Sequence, residues 1–561
     1  MKKFKFIIIT VLLVSFGACD EGILVEEPLD FYSPENSYQT PADIDAALVS
    51  IYRQIRVFYL GNWKGTTFLH VGTDLGMGCR NPATDDFGDY RVALVPNTDV
   101  ALSYWKQFYK MVFNSNTILD RLEAIDYNSE EEKNAQIAEA KFFRGYAYRC
   151  LINLYGGVPI VLNEITSPQR DFVRATKEES IAQAINDLEF AADYLPGVAE
   201  VKYEGKVSSA AALHVLAELY ISAGDYDKSI TAASAVIDDP NISLMTTRFG
   251  RKADIEGDPY WDLFQRFNLN RSSGNMEGIL VLQNEFNIPG GADGNAYGDD
   301  GFLYERTYGP LYWFLNDPDG EKIFIGPTTQ NGGRPVGFIR FTPYFLNGIW
   351  DTDNWDVDIR NNERNIQRDW VVDNPSSAYF GQKISDFPQS WYDNLSDLDT
   401  LRDYHPLATK ISTYNDHPDD LMKDTETGVV ESTAGATYND WYLMRVAETY
   451  LLRAEAYLNK GDMAAAAEDI NAVRNRAGAI DVDAADVNID YILDERMREL
   501  SWEEPRRMTL SRLGLLPERV TKYNPYSGLT VESHNNLFPI PYSEIERNTL
   551  EVLEQNPGYI N

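Results

Sequence analysis

The chain has 561 residues, a net charge of −36 and 12% aromatic residues, among them 34 Tyr and 10 Trp. That length suits about three or four domains, or one large repeat-built domain, and the aromatics supply both a core and exposed platforms. The acidic balance repels nucleic acid and anionic lipid, so neither is expected as a partner; it reads as solubility at a crowded surface and gives no argument for a polyanionic ligand.

Lys2, Lys3 and Lys5 precede an apolar run from Phe6 to Phe16; Gly17, Ala18 and Cys19 follow, then Asp20 and Glu21. A basic start, a short apolar stretch and small residues before a cysteine predict a lipoprotein signal over 1–18, cleaved to leave a lipidated Cys19. The apolar run holds about eleven residues, whereas a membrane-spanning helix needs roughly twenty. Losing three lysines takes the mature charge to −39. No later segment is apolar enough to span, so the remainder is expected to be a globule tethered at one end by its lipid.

Helical periodicity runs near 41–56, 100–125, 131–155, 176–195, 208–222 and 488–504. Tyr104, Trp105, Phe108, Val112, Ile118, Leu119 and Leu122 read as core, and a loop-like stretch over 72–97 interrupts the early helices. Ala217-Glu218-Leu219-Tyr220, continuing to Gly224-Asp225, returns 237 residues later as Ala454-Glu455-Ala456-Tyr457 and Gly461-Asp462. In both, glycine ends one helix and aspartate caps the next, which predicts helix–turn–helix units of tetratricopeptide type. From about 240 to 440 the periodicity fades and Gly, Asn, Asp and Pro become frequent. Long loops and short strands are expected there, carrying Tyr297, Tyr304, Tyr308, Tyr312, Trp313, Trp350, Trp355, Trp370 and Trp391. The fold class expected is mainly α: a tetratricopeptide-like helical-repeat scaffold with a long loop-rich, partly β mid-chain insertion. Residues 19–561 would form one domain, divided into a helical part (19–240), the insertion (241–440) and a helical repeat with its tail (441–561).

Cys79 and Cys150 remain after lipidation; they would either bridge or stay as two buried thiols, the second being favoured. The five histidines form no HExxH motif, and no Cys/His cluster suggests a metal. Asp351, Asp353, Asp356 and Asp358 offer carboxylates for Ca²⁺ but lack the EF-hand pattern, so a solvated turn is the favoured reading. No cofactor other than the lipid is expected. With 86 acidic residues chance carboxylate pairs are guaranteed, and no GxSxG, Walker A or convincing GxGxxG is present, so nothing positive argues for an enzyme.

Landmarks run the length of the chain: Glu27-Pro28-Leu29 with Ser33-Pro34-Glu35-Asn36; Glu139 to Arg144; Tyr155-Gly156-Gly157-Val158-Pro159; Arg174-Ala175-Thr176 with Asp187-Leu188; Arg445-Val446-Ala447-Glu448 with Leu451 to Tyr457; Asn471 to Gly478; Glu495-Arg496 with Arg498-Glu499-Leu500; Pro539-Ile540-Pro541; and Gln555 to Tyr559. In this order they resemble the SusD/RagB family of outer-membrane nutrient-binding lipoproteins of the Bacteroidota. One departure is Pro505, where the family commonly has Gly; it would stop a helix ending near Glu504. The resemblance implies a cell-surface lid over a SusC-like TonB-dependent transporter, held to the outer membrane by its lipid, that captures a glycan and delivers it to the barrel. The same role for oligopeptides is the alternative. Asp20 and Glu21 resemble the family's surface-export signal.

A neutral oligosaccharide needs rings for its apolar faces and Asp, Asn, Arg or Lys for its hydroxyls. The resemblance implies a site drawn from a loop between the early helices and from mid-chain loops, here 72–97 and about 297–355; the first nominates Asp74, Arg80, Asp86 and Tyr90, and the second Tyr304, Tyr308, Trp313 and Trp350.

Overall fold

The computed structural model describes residues 37–61, 63–80, 88–288, 301–350, 354–397 and 399–560. The signal, Cys19, Asp86, Tyr297, Asp351 and Asp353 lie outside the described residues.

Helix α1 (Pro41–Arg56) starts with a reciprocal cap between Thr40 and Asp43, with Pro41 in its first turn. Helix α2 (Trp63–His70) leads to strand β1 (Gly76–Gly78). Then follow α3 (Asp99–Arg121), α4 (Glu130–Tyr155), α5 (Lys177–Tyr194), α6 (Ser209–Ala223) and α7 (Tyr226–Ile237). From Phe142 to Tyr155, α4 is buried on almost every side, because α3 and α5 flank it. Its two arginines are therefore paired inside: Arg144 with Asp187 at 2.7 Å, and Arg149 with Glu218 at 2.8 Å.

The mid-chain carries short elements: β2 (Gly278–Leu282), α8 (Tyr304–Tyr308), β3 (Ile339–Phe341), β4 (Ile366–Gln367), β5 (Leu407–Ala408), β6 (Met422–Asp424), β7 (Val429–Val430) and β8 (Trp441–Arg445). They pair antiparallel as β1–β3, β2–β8, β4–β5 and β6–β7. The β2–β8 ladder, with Leu282 opposite Trp441, brings the start and finish of this region together. So little regular structure cannot build its own core, and rings fill it. Trp350, Trp370 and Trp391 are 4%, 2% and 6% exposed, which removes them as platforms.

Helices α9 (Val446–Lys460), α10 (Met463–Arg476), α11 (Ile489–Leu500), α12 (Arg506–Leu513) and α13 (Leu516–Tyr523) complete the scaffold. The two repeat turns match in detail. Gly224 and Gly461 take left-handed φ of 77° and 80°, and Asp225 and Asp462 accept from Lys228 N (3.2 Å) and Ala465 N (3.1 Å). Helix α7 packs on α9, stacking one unit on the other. The repeated glutamates converge on Arg512, which binds Glu455 at 2.6 Å and lies 4.0 Å from Glu218. Helix α11 ends at Leu500 rather than near Glu504. Trp502 turns the chain with φ of 63°, and Pro505 instead opens α12, its carbonyl accepting from Met508 N at 2.7 Å.

Several of the sequence landmarks meet in one buried ion network. Arg360, Arg474 and Arg498 converge on Glu495 at 2.7, 2.9 and 2.7 Å, while Arg445 and Arg476 share Glu277 and Glu499. Arginine's planar fork satisfies several carboxylates at once, which offsets the cost of taking these charges out of water. Cys79 and Cys150 are buried and form no disulfide with each other: Cys79 lies 3.8 Å from His405 Nε2, and Cys150 sits on α4 beside Arg149. Among the described residues no helix is long and apolar enough to cross a membrane.

Candidate functional site

The β1–β3 pairing joins the two loop regions the sequence singles out. Gly78 faces Ile339, and Cys79 N donates to Phe338 O at 2.8 Å, so the first loop leaves β1 alongside the segment Pro335–Phe338. Arg80 is exposed there, its guanidinium 4.5 Å from the Phe338 ring centre. At the other end of that segment, Trp313 Nε1 donates to Pro335 O at 3.2 Å. Trp313 is half-buried and meets Phe314, half-exposed, edge-on at 4.6 Å. Arg80 and Trp313 thus stand at two ends of one short backbone run.

A third segment closes the group. Leu311 N donates to Arg402 O at 3.0 Å, and Arg402 Nε donates to Val336 O at 3.0 Å. Gly337 makes this approach possible: with φ of 64°, an added Cβ would lie 2.7 Å from Arg402 O. Arg340 reaches Thr400 O at 2.7 Å. Beside them Asp403 is buried, and burial pushes its carboxyl up to about 6, with Asp399 adding to the rise and Arg402 opposing it. Arg402 is itself lowered by burial and by the neighbouring Arg80 charge.

The other nominated residues that the structure describes sit elsewhere. Asp74 is fully buried, bound by Arg506 (2.8 Å through both oxygens) and Arg519 (2.7 Å). Burial would raise its carboxyl, but these two guanidiniums bring it down to about 2. Tyr90 is inside too, donating to Gly72 O at 2.6 Å and accepting from Arg507 at 2.9 Å. Tyr304 and Tyr308, each 2% exposed, plug α8 against the helical core. Tyr308 bonds His70 Nδ1 at 2.8 Å and stacks 4.3 Å from Trp502; Tyr304 lies 4.9 Å from Trp441. Trp350 packs edge-on to Phe345. A ring with no open face cannot seat a ligand, and a buried carboxylate held by two guanidiniums has none to offer a hydroxyl, so Asp74, Tyr90, Tyr304, Tyr308 and Trp350 are corrected to structural roles. Of the nominated residues that the structure describes, Arg80, exposed, and Trp313, half-buried, both lie beside the segment Pro335–Phe338.

Sequence reasoning missed Phe314, Arg334, Phe338, Arg340, Arg402 and Asp403. The Trp313-Phe314 doublet was visible in the sequence; nothing local marks Arg402, which reaches the site only through the fold. Among the described residues no group of three His, Cys, Asp or Glu side chains is placed to hold a metal ion. Asp358, from the acidic cluster, is committed to Arg360 at 2.7 Å.

Two family models match the chain. Residues 81–221 match one described as starch-binding associating with outer membrane, and residues 328–559 match the SusD family. The chain belongs to the SusD/RagB family. Its SusD relatives include SusD-like protein P2 of Formosa agariphila, 24% identical over the whole of both chains. The starch-binding protein SusD of Bacteroides thetaiotaomicron is 26% identical over 79% of this chain and 76% of its own. Among solved structures, a laminarin-binding SusD-like protein shares 22% identity and superposes with a TM-score of 0.66 over 93% of this chain and all of its own. A SusD homologue from Bacteroides thetaiotaomicron gives 0.68 at 18% identity, over 94% and 98%. These likenesses establish the mainly α SusD fold that the repeat pattern and landmarks lead one to expect.

Proposed function

We propose that this protein captures glycan chains at the outer-membrane surface and passes them, as a lid, to a SusC-like TonB-dependent transporter. The observation that carries the reading is the accessible Trp313–Phe314 pair at the junction of three loop segments, ringed by guanidinium groups. Sugar rings offer flat C–H faces to aromatic side chains and a rim of hydroxyls to directional donors. The match of 81–221 to a starch-binding, outer-membrane-associated family supports both the ligand class and the location. A lipid on Cys19 would supply the tether, and the role asked of the site is binding without turnover.

Titration of the purified protein against a panel of polysaccharides, with analysis of any products, tests the proposal. We expect at least one glycan to be retained without release of shorter chains. Trp313→Ala should weaken that binding by ~1 kcal/mol or more, the scale of a lost aromatic contact. Unchanged affinity in the variant would remove the site, and retention of peptides in place of glycans would favour the oligopeptide alternative.

A further inference from the structure

The rings of Trp313 and Phe314 are surrounded by positive charge in a chain that carries a large excess of negative charge. Arg334 lies 5.4 Å from the Trp313 ring, Lys322 lies 5.5 Å from Phe314, and Arg80 lies 4.5 Å from Phe338. Arg402 bonds Val336 O beside Trp313, and Arg340 bonds Thr400 O two residues before Arg402. Elsewhere the protein pairs its arginines closely, with Arg360, Arg445, Arg496 and Arg519 each holding two or more carboxylates. Others, such as Arg507 and Arg368, bond only neutral oxygens, and here several such cations gather in one place. The hydrogen bonds made by Lys322, Arg340 and Arg402 go to neutral carbonyl oxygens, and among the described residues none of the five cations is in an ion pair. Arg340 Nε and Arg334 Nη1 are buried with no acceptor.

Like charges gathered without counter-ions repel one another, and buried donors without acceptors cost free energy. A chain with 86 acidic residues had ample means to neutralise them. Asp403, whose carboxyl is buried beside Arg402, Lys322 and Arg80, has an Oδ1 with no hydrogen-bond partner. The arrangement fits a ligand that brings the missing negative charge with it. A sugar seated on the rings would carry its substituents straight into reach of the cations above and beside them.

We infer that the glycan taken at this site is acidic, a polysaccharide bearing carboxylate or sulfate groups, with its sugar faces on Trp313 and Phe314 and its anionic substituents bound by Arg80, Arg334 and Arg402. The inference rests on the glycan-binding reading above and narrows it. Guanidinium forks bind carboxylate and sulfate oxygens in pairs, and a local patch sets the potential a ligand meets whatever the net charge of the whole chain.

Full-length protein in detergent, titrated with polygalacturonate, a sulfated carrageenan and neutral laminarin at low and high salt, tests it. One or both acidic polymers should bind at least about tenfold tighter than laminarin, with affinity falling as salt rises. The polymer preferred tells carboxylate from sulfate. Arg80→Gln and Arg334→Gln should each cut that affinity about tenfold, the scale of one charged hydrogen bond, with an unchanged melting temperature. Laminarin bound as tightly as the acidic polymers, insensitive to salt and to the arginine variants but lost in Trp313→Ala, would overturn the acidic class and leave the glycan site standing. If neither acidic polymer is retained while a neutral glycan of the wider panel is, the acidic class falls and the glycan reading stands; if no glycan of that panel is retained, both fall.

Discussion

Asp74 lies in the loop that contributes Arg80 to the site, yet both its oxygens are held by arginines from α12 and α13. Arg506 is 432 positions away in the chain, so no local pattern could reveal the pairing. Removing one partner from a buried ion cluster leaves uncompensated charge. Asp74→Ala should therefore destabilise the protein by ~3–5 kcal/mol while the folded fraction binds ligand normally. A variant that melts like the parent but binds poorly would return Asp74 to the ligand. The aromatic residues follow the same logic. A tyrosine in a Gly- and Asp-rich stretch looks like a platform, but Tyr304 and Tyr308 are what fastens that stretch to the helices. Exposure depends on what arrives from elsewhere in the chain, which is why Trp313 and its buried neighbour Tyr312 look alike in the sequence.

Helices were legible where their signals are local. Caps at Thr40, Thr176 and Asp225 fall within three residues of the groups they satisfy, and the 237-residue repeat follows from the same turn chemistry used twice. The end of α11 was not legible, because a tryptophan with positive φ, rather than the proline beyond it, makes the break. Gly224 and Gly461 allow a direct check on the repeat. Both have open space where a Cβ would stand, so the cost of a side chain there is conformational alone. Gly224→Ala and Gly461→Ala should each lower stability by ~1–2 kcal/mol, and by similar amounts, as read from urea midpoints. Unequal losses would show that the two turns are not equivalent.

Across the whole molecule, buried titratable groups set the response to acid. Asp74, Glu218 and Glu495 are each brought down to about 2 by arginines that outweigh burial. Such carboxylates contribute fully above the ordinary carboxylate range, and that contribution is lost as pH falls through about 2. Burial pushes His70 and His405 down to about 3, so they cost stability as pH falls from about 6.5 toward 3. Asp403 and Asp440, raised by burial to about 6, act in the opposite sense and relieve the fold as pH falls from about 6 to 4. The urea midpoint should thus stay nearly level between about pH 6 and 4 and drop steeply from about 4 to 2. An even decline from neutrality would mean that the carboxylate network is not what acid dissolves.

The antiparallel pairing of β2 with β8 fixes where the mid-chain leaves the scaffold and where it returns, side by side. A loop closed at its base by a hydrogen-bonded ladder pays little for extra length, about 0.6 kcal/mol for each doubling. The tips of this excursion can therefore be lengthened, shortened or rewritten while the helical frame keeps its shape. The fold thus sets the helical frame apart from the tips of the excursion, so that a change in the one leaves the other in place.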